Sequence, residues 1–187
     1  AVLPEATVLP PVALGDVLRA LDHRPRALVI IDGLYERVPA VWHKELLHAM
    51  DKGFPVYGAA SMGALRAAEL HSFGMVGVGK VFEQFADGRL EDDDEVAVAH
   101  GSAEDGHRPV SEAMVNIRAT CAAAIDESAL TEAEAEELLA VAKSLFYPRR
   151  DWATVLLRLI ESGYLTKERA SEFRAWLRAD GRVDQKA

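Results

Sequence analysis

Residues 55–70 read PVYGAASMGALRAAEL, and the change of character inside this stretch sets the fold. PVYGAAS (55–61) is a short apolar run of the kind found in buried strands, while MGALRAAEL (62–70) has helical spacing. Upstream, RALVIID (26–32) is a second run of strand character, with Gly33 as its turn. Between the two, PAVWHKELLHAM (39–50) puts Trp42, Leu46, Ala49 and Met50 on one helical face. Pro39 suits its first turn and Lys52-Gly53 its end. Strand, helix, strand and helix with short connections predict an α/β fold: a small, mostly parallel sheet with flanking helices.

Outward from this unit the pattern continues in both directions. Asp16 is placed to cap a short helix over VLRALDH (17–23), ended by Pro25. Residues 77–90 read as one helix with Val78, Val81, Phe82 and Phe85 as its apolar stripe. EDDDEVAVAHG (91–101) then gives an acid run followed by a short alternating strand. After residue 110 the character changes to four helical patterns, 111–127, 131–146, 151–162 and 166–179. Thr131 with Glu134 forms a capping box, and Asp151 and Thr166 are N-caps. The expected organisation is an α/β core over 1–110 and an all-α C-terminal half over 111–187, with DGRVDQKA (180–187) as a frayed tail.

Composition narrows the function classes. The net charge of −9 over 187 residues lacks the basic footprint that nucleic acid or an anionic membrane surface demands. No run approaches the roughly 18 apolar residues of a membrane helix, and no signal peptide is visible, so a cytoplasmic location is expected. The single cysteine, Cys121, excludes an internal disulfide and a thiolate zinc cluster. It recurs with Met114, Ile117 and Ile125 at helical spacing and reads as a buried small hydrophobe.

Ser61 stands where the strand becomes the helix and has two readings. As a plain N-cap it holds the helix start. As half of a G-x-S-x-G elbow, with Gly63 after it but Ala59 before it, it is a nucleophile or part of an oxyanion site. Arg66 and Glu69 lie one turn apart, either as a surface ion pair or as ligand contacts near the strand ends. His43 sits at the edge of an apolar face with Glu45 beside it, and HKE does not match H-E-x-x-H. The acid run 91–95 is either a solvated face or oxygen ligands for Mg²⁺. The polar segment 100–118 carries His100, Glu104, His107, Ser111, Glu112, Asn116 and Arg118, and loops of this kind often hold functional side chains. No phosphate-binding glycine motif supports a nucleotide.

Four stretches, in this order and spacing, closely resemble the TfuA-like family: IDGLYERVPAVWHKE, VYGAASMGALRAAELHSFGMVGVG, LEDDDEVAVAHG and SEAMVNIRAT. The resemblance covers roughly residues 8–165. Family members commonly open with a strand of the type VFxGPS ahead of the segment matched by VLPPVALGDV (8–17). This chain starts at Ala1 without it, so either a trimmed form or a sheet lacking that strand is expected.

The resemblance implies peptide backbone thioamidation in ribosomal peptide and protein modification. TfuA-like proteins accompany YcaO proteins, which activate a peptide amide with ATP so that sulfur replaces its oxygen. The implied task is to hydrolyse the C-terminal thiocarboxylate of a ThiS-like sulfur carrier and release sulfide for YcaO. The alternative is a non-catalytic adaptor that binds YcaO and recruits peptide or carrier. A nucleotide-binding role beside YcaO is a third and weaker possibility.

On the hydrolase reading the catalytic candidates are Ser61, His43, His100 and Asp93. The substrate-binding candidates are Arg66, Glu69, Gly63, Asn116 and Arg118. Either Ser61 attacks and a histidine takes its proton, or the Ser61 turn holds the oxyanion while a histidine or carboxylate activates water. Arg66 suits the anionic thiocarboxylate. Gly58, Ala59 and Ala60 would permit a narrow channel for the carrier tail. No metal and no cofactor is expected. The expected partners are YcaO, the carrier and the precursor peptide, with the helical half as the docking surface.

Overall fold

The two apolar runs become strands β1 (Leu28–Ile30) and β2 (Val56–Ala59), and β3 (Val76–Val78) completes a parallel sheet in the order β1-β2-β3. This is a computed structural model, and it describes residues 4–35, 38–102, 104–106 and 108–186. The chain forms two compact units, Ala1–Arg89 and Leu90–Ala187.

In the first unit, α1 (Asp16–Leu21) precedes β1, α2 (His43–Asp51) joins β1 to β2, and α3 (Met62–Leu70) joins β2 to β3. α4 (Lys80–Ala86) follows. The core packs Ile30 and Val56 of the sheet against Leu46 and Ala49 of α2 and Met62, Ala67 and Leu70 of α3. Registry puts Ile30, Gly58 and Gly77 in one row across the sheet. A Cβ on Gly58 would meet the Gly63 carbonyl oxygen at 2.1 Å, and one on Gly77 would meet the Phe82 ring at 2.0 Å. The row is therefore built from glycines so that α3 and Phe82 can press onto the strands. The neighbouring positions face the other way. Val29, Ile31, Val76 and Val78 are 46–58% exposed, so among the described residues only one face of the sheet is fully covered.

The structure corrects several expectations. β3 and α4 divide the segment read as a single helix over 77–90. A three-residue strand with glycine at its centre has no alternation to read. α2 begins at His43 rather than Pro39, and Trp42, placed by periodicity on the buried face, is 57% exposed at the N-cap. Asp16 is the first residue of α1, after Gly15 at φ 86°, and its carboxylate accepts the N–H of Ala13. The alternating segment 96–100 is not a strand. Asp93–Glu95 form a 3₁₀ turn, and the N–H groups of Val96 and Ala97 return to the Asp93 carbonyl. Only an isolated antiparallel bridge, His100 to Pro109, remains.

The second unit opens at Leu90, ahead of the change in sequence character at residue 110. It contains α5 (Met114–Asp126), α6 (Glu132–Ser144), α7 (Trp152–Glu161) and α8 (Lys167–Trp176). Met114, Ile117, Cys121, Leu138, Leu156, Leu159 and Phe173 form its core, with Trp152 edge-on to Phe173 at 6.0 Å. The expected caps form: Thr131 and Glu134 bond each other's backbone N–H, Asp151 accepts from Thr154, and Thr166 from Arg169. Cys121 is buried, and burial pushes its thiol up to about 12, so it is unreactive. The segment read as a frayed tail is bonded to α5 through Val183 and Gln185.

Candidate functional site

β2 passes into α3 through Ala60 and Ser61. Ala60 has φ 64°, a left-handed conformation that costs a residue with a Cβ on the order of 1–2 kcal/mol. The Ser61 N–H reaches back to the Ala59 carbonyl at 2.9 Å, closing a tight turn around Ala60. Strain of this kind at a strand end is a reason to look for function there. The hydrogen bonds qualify that reading. The N–H groups of Ser61 and Gly63 converge on the Ile31 carbonyl at 3.3 and 3.2 Å. Two donors that a developing oxyanion would use are thus engaged by the end of β1.

Ser61 occupies the N-cap position of α3, but its side chain makes no cap hydrogen bond and is buried. Gly63 has a packing reason to be glycine, since a Cβ there would lie 1.9 Å from the Ile30 carbonyl oxygen. The space before Gly58, read as room for a channel, is filled by the Gly63 carbonyl, Met75 and Ala67.

A second set of residues meets at the other end of α3. Glu69 Oε2 lies 2.8 Å from His43 Nε2 and 2.6 Å from an Arg66 terminal nitrogen. Arg66 also donates through Nε to the Val41 carbonyl at 3.2 Å, which ties α3 to the segment leading into α2. The side chains of His43 and Glu69 are 45% and 37% exposed, while that of Arg66 is 14% exposed. With Nε2–H donated to the carboxylate, Nδ1 of a neutral His43 carries the lone pair. An imidazole, the carboxylate bonded to it and a largely buried guanidinium therefore adjoin at an accessible edge. Ser61 sits at the N-terminal end of α3, eight residues ahead of Glu69.

Glu45, two residues on from His43, anchors the first turn of α2. That carboxylate is buried and accepts the N–H of Gly15 at 2.8 Å and of Trp42 at 3.4 Å, fixing the start of α2. Among the described residues its second oxygen has no hydrogen-bond partner.

The remaining candidates fall in the second unit, where the acid run is tied into a lattice of cations. Lys143 Nζ lies within 3.1, 3.0 and 2.9 Å of Asp92, Asp94 and Glu95. Arg118 grips Glu95 with two bonds of 3.0 Å. Burial pushes Glu95 up, but Arg118 and Lys143 outweigh it and hold its carboxyl below the usual range. Arg150 is fully buried and donates to Asp94 and to the carbonyls of Ala142, Leu145 and Asp94. These contacts give Glu95 and Arg118 a structural partnership and draw Asp94 and Glu95 into ion pairs, while Glu91, Asp92 and Asp93 stay exposed as a solvated face. Asp93 lies in the same 3₁₀ turn, and its carbonyl accepts the N–H groups of Val96 and Ala97. His100 is in the bridge to Pro109, and Asn116 accepts the Gln185 N–H at 3.0 Å. His107 lies outside the described residues.

The Arg66–Glu69 pair was legible from its spacing. The addition of His43, 26 residues away, was not, because only the packing of α2 beside α3 makes them neighbours. Glu45, Lys143 and Arg150 carried no sequence signal beyond being charged residues near apolar ones.

A search of the curated proteins finds no match. The family model for TfuA-like proteins matches residues 32–151, a span that contains the Ser61 turn, the His43–Glu69–Arg66 cluster and the ion-paired acid run. This covers well over half of the chain, which therefore belongs to the TfuA-like family.

Proposed function

We propose that this protein supplies sulfide for peptide thioamidation by hydrolysing the C-terminal thiocarboxylate of a ThiS-like carrier, for use by a YcaO partner. The observation that carries the reading is the sharing of the Glu69 carboxylate between His43 and Arg66. Hydrolysis needs a base for water, a group that steadies the base once protonated, and a cation for the anionic substrate.

In this reading His43 Nδ1 takes a proton from water as its oxygen attacks the carbonyl carbon. Glu69 stabilises the resulting imidazolium, as the carboxylate does in hydrolase triads. Arg66 already has one nitrogen on Glu69 and another on Val41, and its remaining terminal nitrogen pairs with the thiocarboxylate. The tetrahedral intermediate collapses with cleavage of the carbon–sulfur bond. Carboxylate, hydrosulfide and one proton leave from thiocarboxylate and water. Ser61 supports the reaction through the shape of the strand–helix turn, and the helical unit receives the carrier.

The test is mass spectrometry of a thiocarboxylated ThiS-like carrier incubated with the protein, without YcaO. Conversion to the carboxylate with sulfide release, lost in His43→Ala and retained in part in Ser61→Ala, is the expected result. A carrier left untouched by the wild-type protein would move the assignment to a non-catalytic adaptor of YcaO.

A further inference from the structure

α2 opens on two residues that a helix by itself does not favour. Trp42 holds the N-cap position, with φ −81° and ψ 142°. A serine, threonine, aspartate or asparagine there would supply an acceptor for the first-turn N–H groups, and an indole supplies none. Lys44 then puts a positive charge in the first turn, at the end of a helix that favours acids.

The core does not ask for them either. Val41 is buried, and the extended backbone at Trp42 turns the indole the other way, where it is 57% exposed. Lys44 is exposed as well, and among the described residues it forms no ion pair. Local choices that cost stability and gain no packing gather at functional surfaces.

The main chain that carries the indole is nonetheless fixed. The Trp42 N–H donates to Glu45 Oε1 at 3.4 Å, the Val41 carbonyl accepts Arg66 Nε at 3.2 Å, and the His43 ring bonds Glu69 at 2.8 Å. Both chain neighbours of Trp42 are thus tied to the residues assigned to the reacting end of the substrate. An exposed tryptophan on a held backbone offers a large apolar face at little loss of freedom, which is why it recurs at binding hot spots. That face takes the peptide planes of an extended chain and asks for no particular side chain.

We propose that Trp42 recognises the tail of the sulfur carrier, packing on the residues that precede the terminal thiocarboxylate, and that Lys44 draws that anionic end in. The proposal rests on the functional reading above for the identity of the carrier. Arg66 then holds the terminal anion while Trp42 sets which tails can reach it.

Anisotropy of a fluorescein-labelled ThiS-like carrier with an ordinary carboxylate terminus tests recognition apart from catalysis. Trp42→Ser is the deciding variant, because it gives α2 the side-chain cap that tryptophan withholds. It should melt no lower than wild type, yet bind the carrier about tenfold more weakly, or roughly 1.4 kcal/mol. Trp42→Phe keeps an aromatic face and should retain most of the affinity. A carrier shortened by about four residues, roughly 13 Å of extended chain, should bind wild type and Trp42→Ser alike. Lys44→Gln should weaken binding of the full carrier by roughly threefold at low salt and match wild type at high salt.

Equal affinity of Trp42→Ser and wild type for the full carrier would overturn the proposal, as would an equal loss with the shortened one. A Trp42→Ser that melts well below wild type would make the indole a structural residue and overturn it too. Sulfide release with one KM for wild type and Trp42→Ser would remove the recognition role and leave the hydrolase reading standing. Binding that depends on Trp42, with no sulfide released by any form, would sink the hydrolase reading and leave Trp42 as the tail contact.

Discussion

A single oxygen, Glu69 Oε2, holds His43 at 2.8 Å and Arg66 at 2.6 Å, so the orientation of the candidate base and the placement of the candidate anion binder depend on one atom. His43→Ala should lower sulfide release from the thiocarboxylated carrier by about 10²- to 10⁴-fold, the usual contribution of a general base. Glu69→Gln keeps the shape but loses the charge that steadies the imidazolium. Its kcat should fall by roughly 10- to 100-fold, with KM changing less. A KM effect alone would make Glu69 a substrate contact.

Arg66 is not interchangeable with lysine, because its guanidinium spans Val41 and Glu69 and still offers a terminal nitrogen. Arg66→Lys should raise KM for the carrier by about tenfold at low salt. Steady-state sulfide release against carrier concentration reads this directly.

Gly63 packs where a side chain has no room, with Ile30 O at 1.9 Å from the position of an added Cβ. Gly63→Ala should destabilise the first unit by about 3 kcal/mol or more, because backbone rather than a flexible side chain must move. Ser61→Ala removes no cap bond and should be milder. Thermal unfolding of the two variants separates them.

Arg150 is buried among three carbonyls and Asp94. Arg150→Met removes all four of these hydrogen bonds and should cost about 3–5 kcal/mol. Urea unfolding monitored by helix signal should show a lower midpoint with an unchanged slope.

The helical unit should weaken in acid through Glu134. Arg169 bonds the Glu134 carboxylate at 2.7 and 2.9 Å and holds it at about 2, against an ordinary value of 4.5. The folded-state value is the depressed one, so the stabilisation is fully present above pH 4.5 and is lost as pH falls toward about 2. Glu95, held low by Arg118 and Lys143, acts in the same sense. Glu134→Gln should flatten the fall in melting temperature over that interval, and parallel curves for wild type and variant would exclude the pair as its cause.

Much of the fold was legible because it is local. The strand at 56–59, the helix at 62–70 and the caps at Thr131, Asp151 and Thr166 follow from periodicity and from side chains bonding backbone within a turn. The family motifs were legible for the same reason, being contiguous. Ser61 attracted attention because a hydroxyl at a strand–helix junction is visible in one dimension.

Tertiary structure decided what lies far apart in sequence. It seated Asp92, Asp94 and Glu95 of the acid run on Lys143, Arg118 and Arg150, since only packing reveals which cations a carboxylate meets. It made β3 a strand, because three residues gain their hydrogen bonds from β2 and not from any pattern of their own. It seated His43 of α2 on Glu69 of α3, and residues 183 and 185 on Thr120 and Asn116. The sequence by itself determined the α/β order, the helical second half and the family. Which charges pair, and which polar atoms are left to meet a substrate, was set by long-range packing.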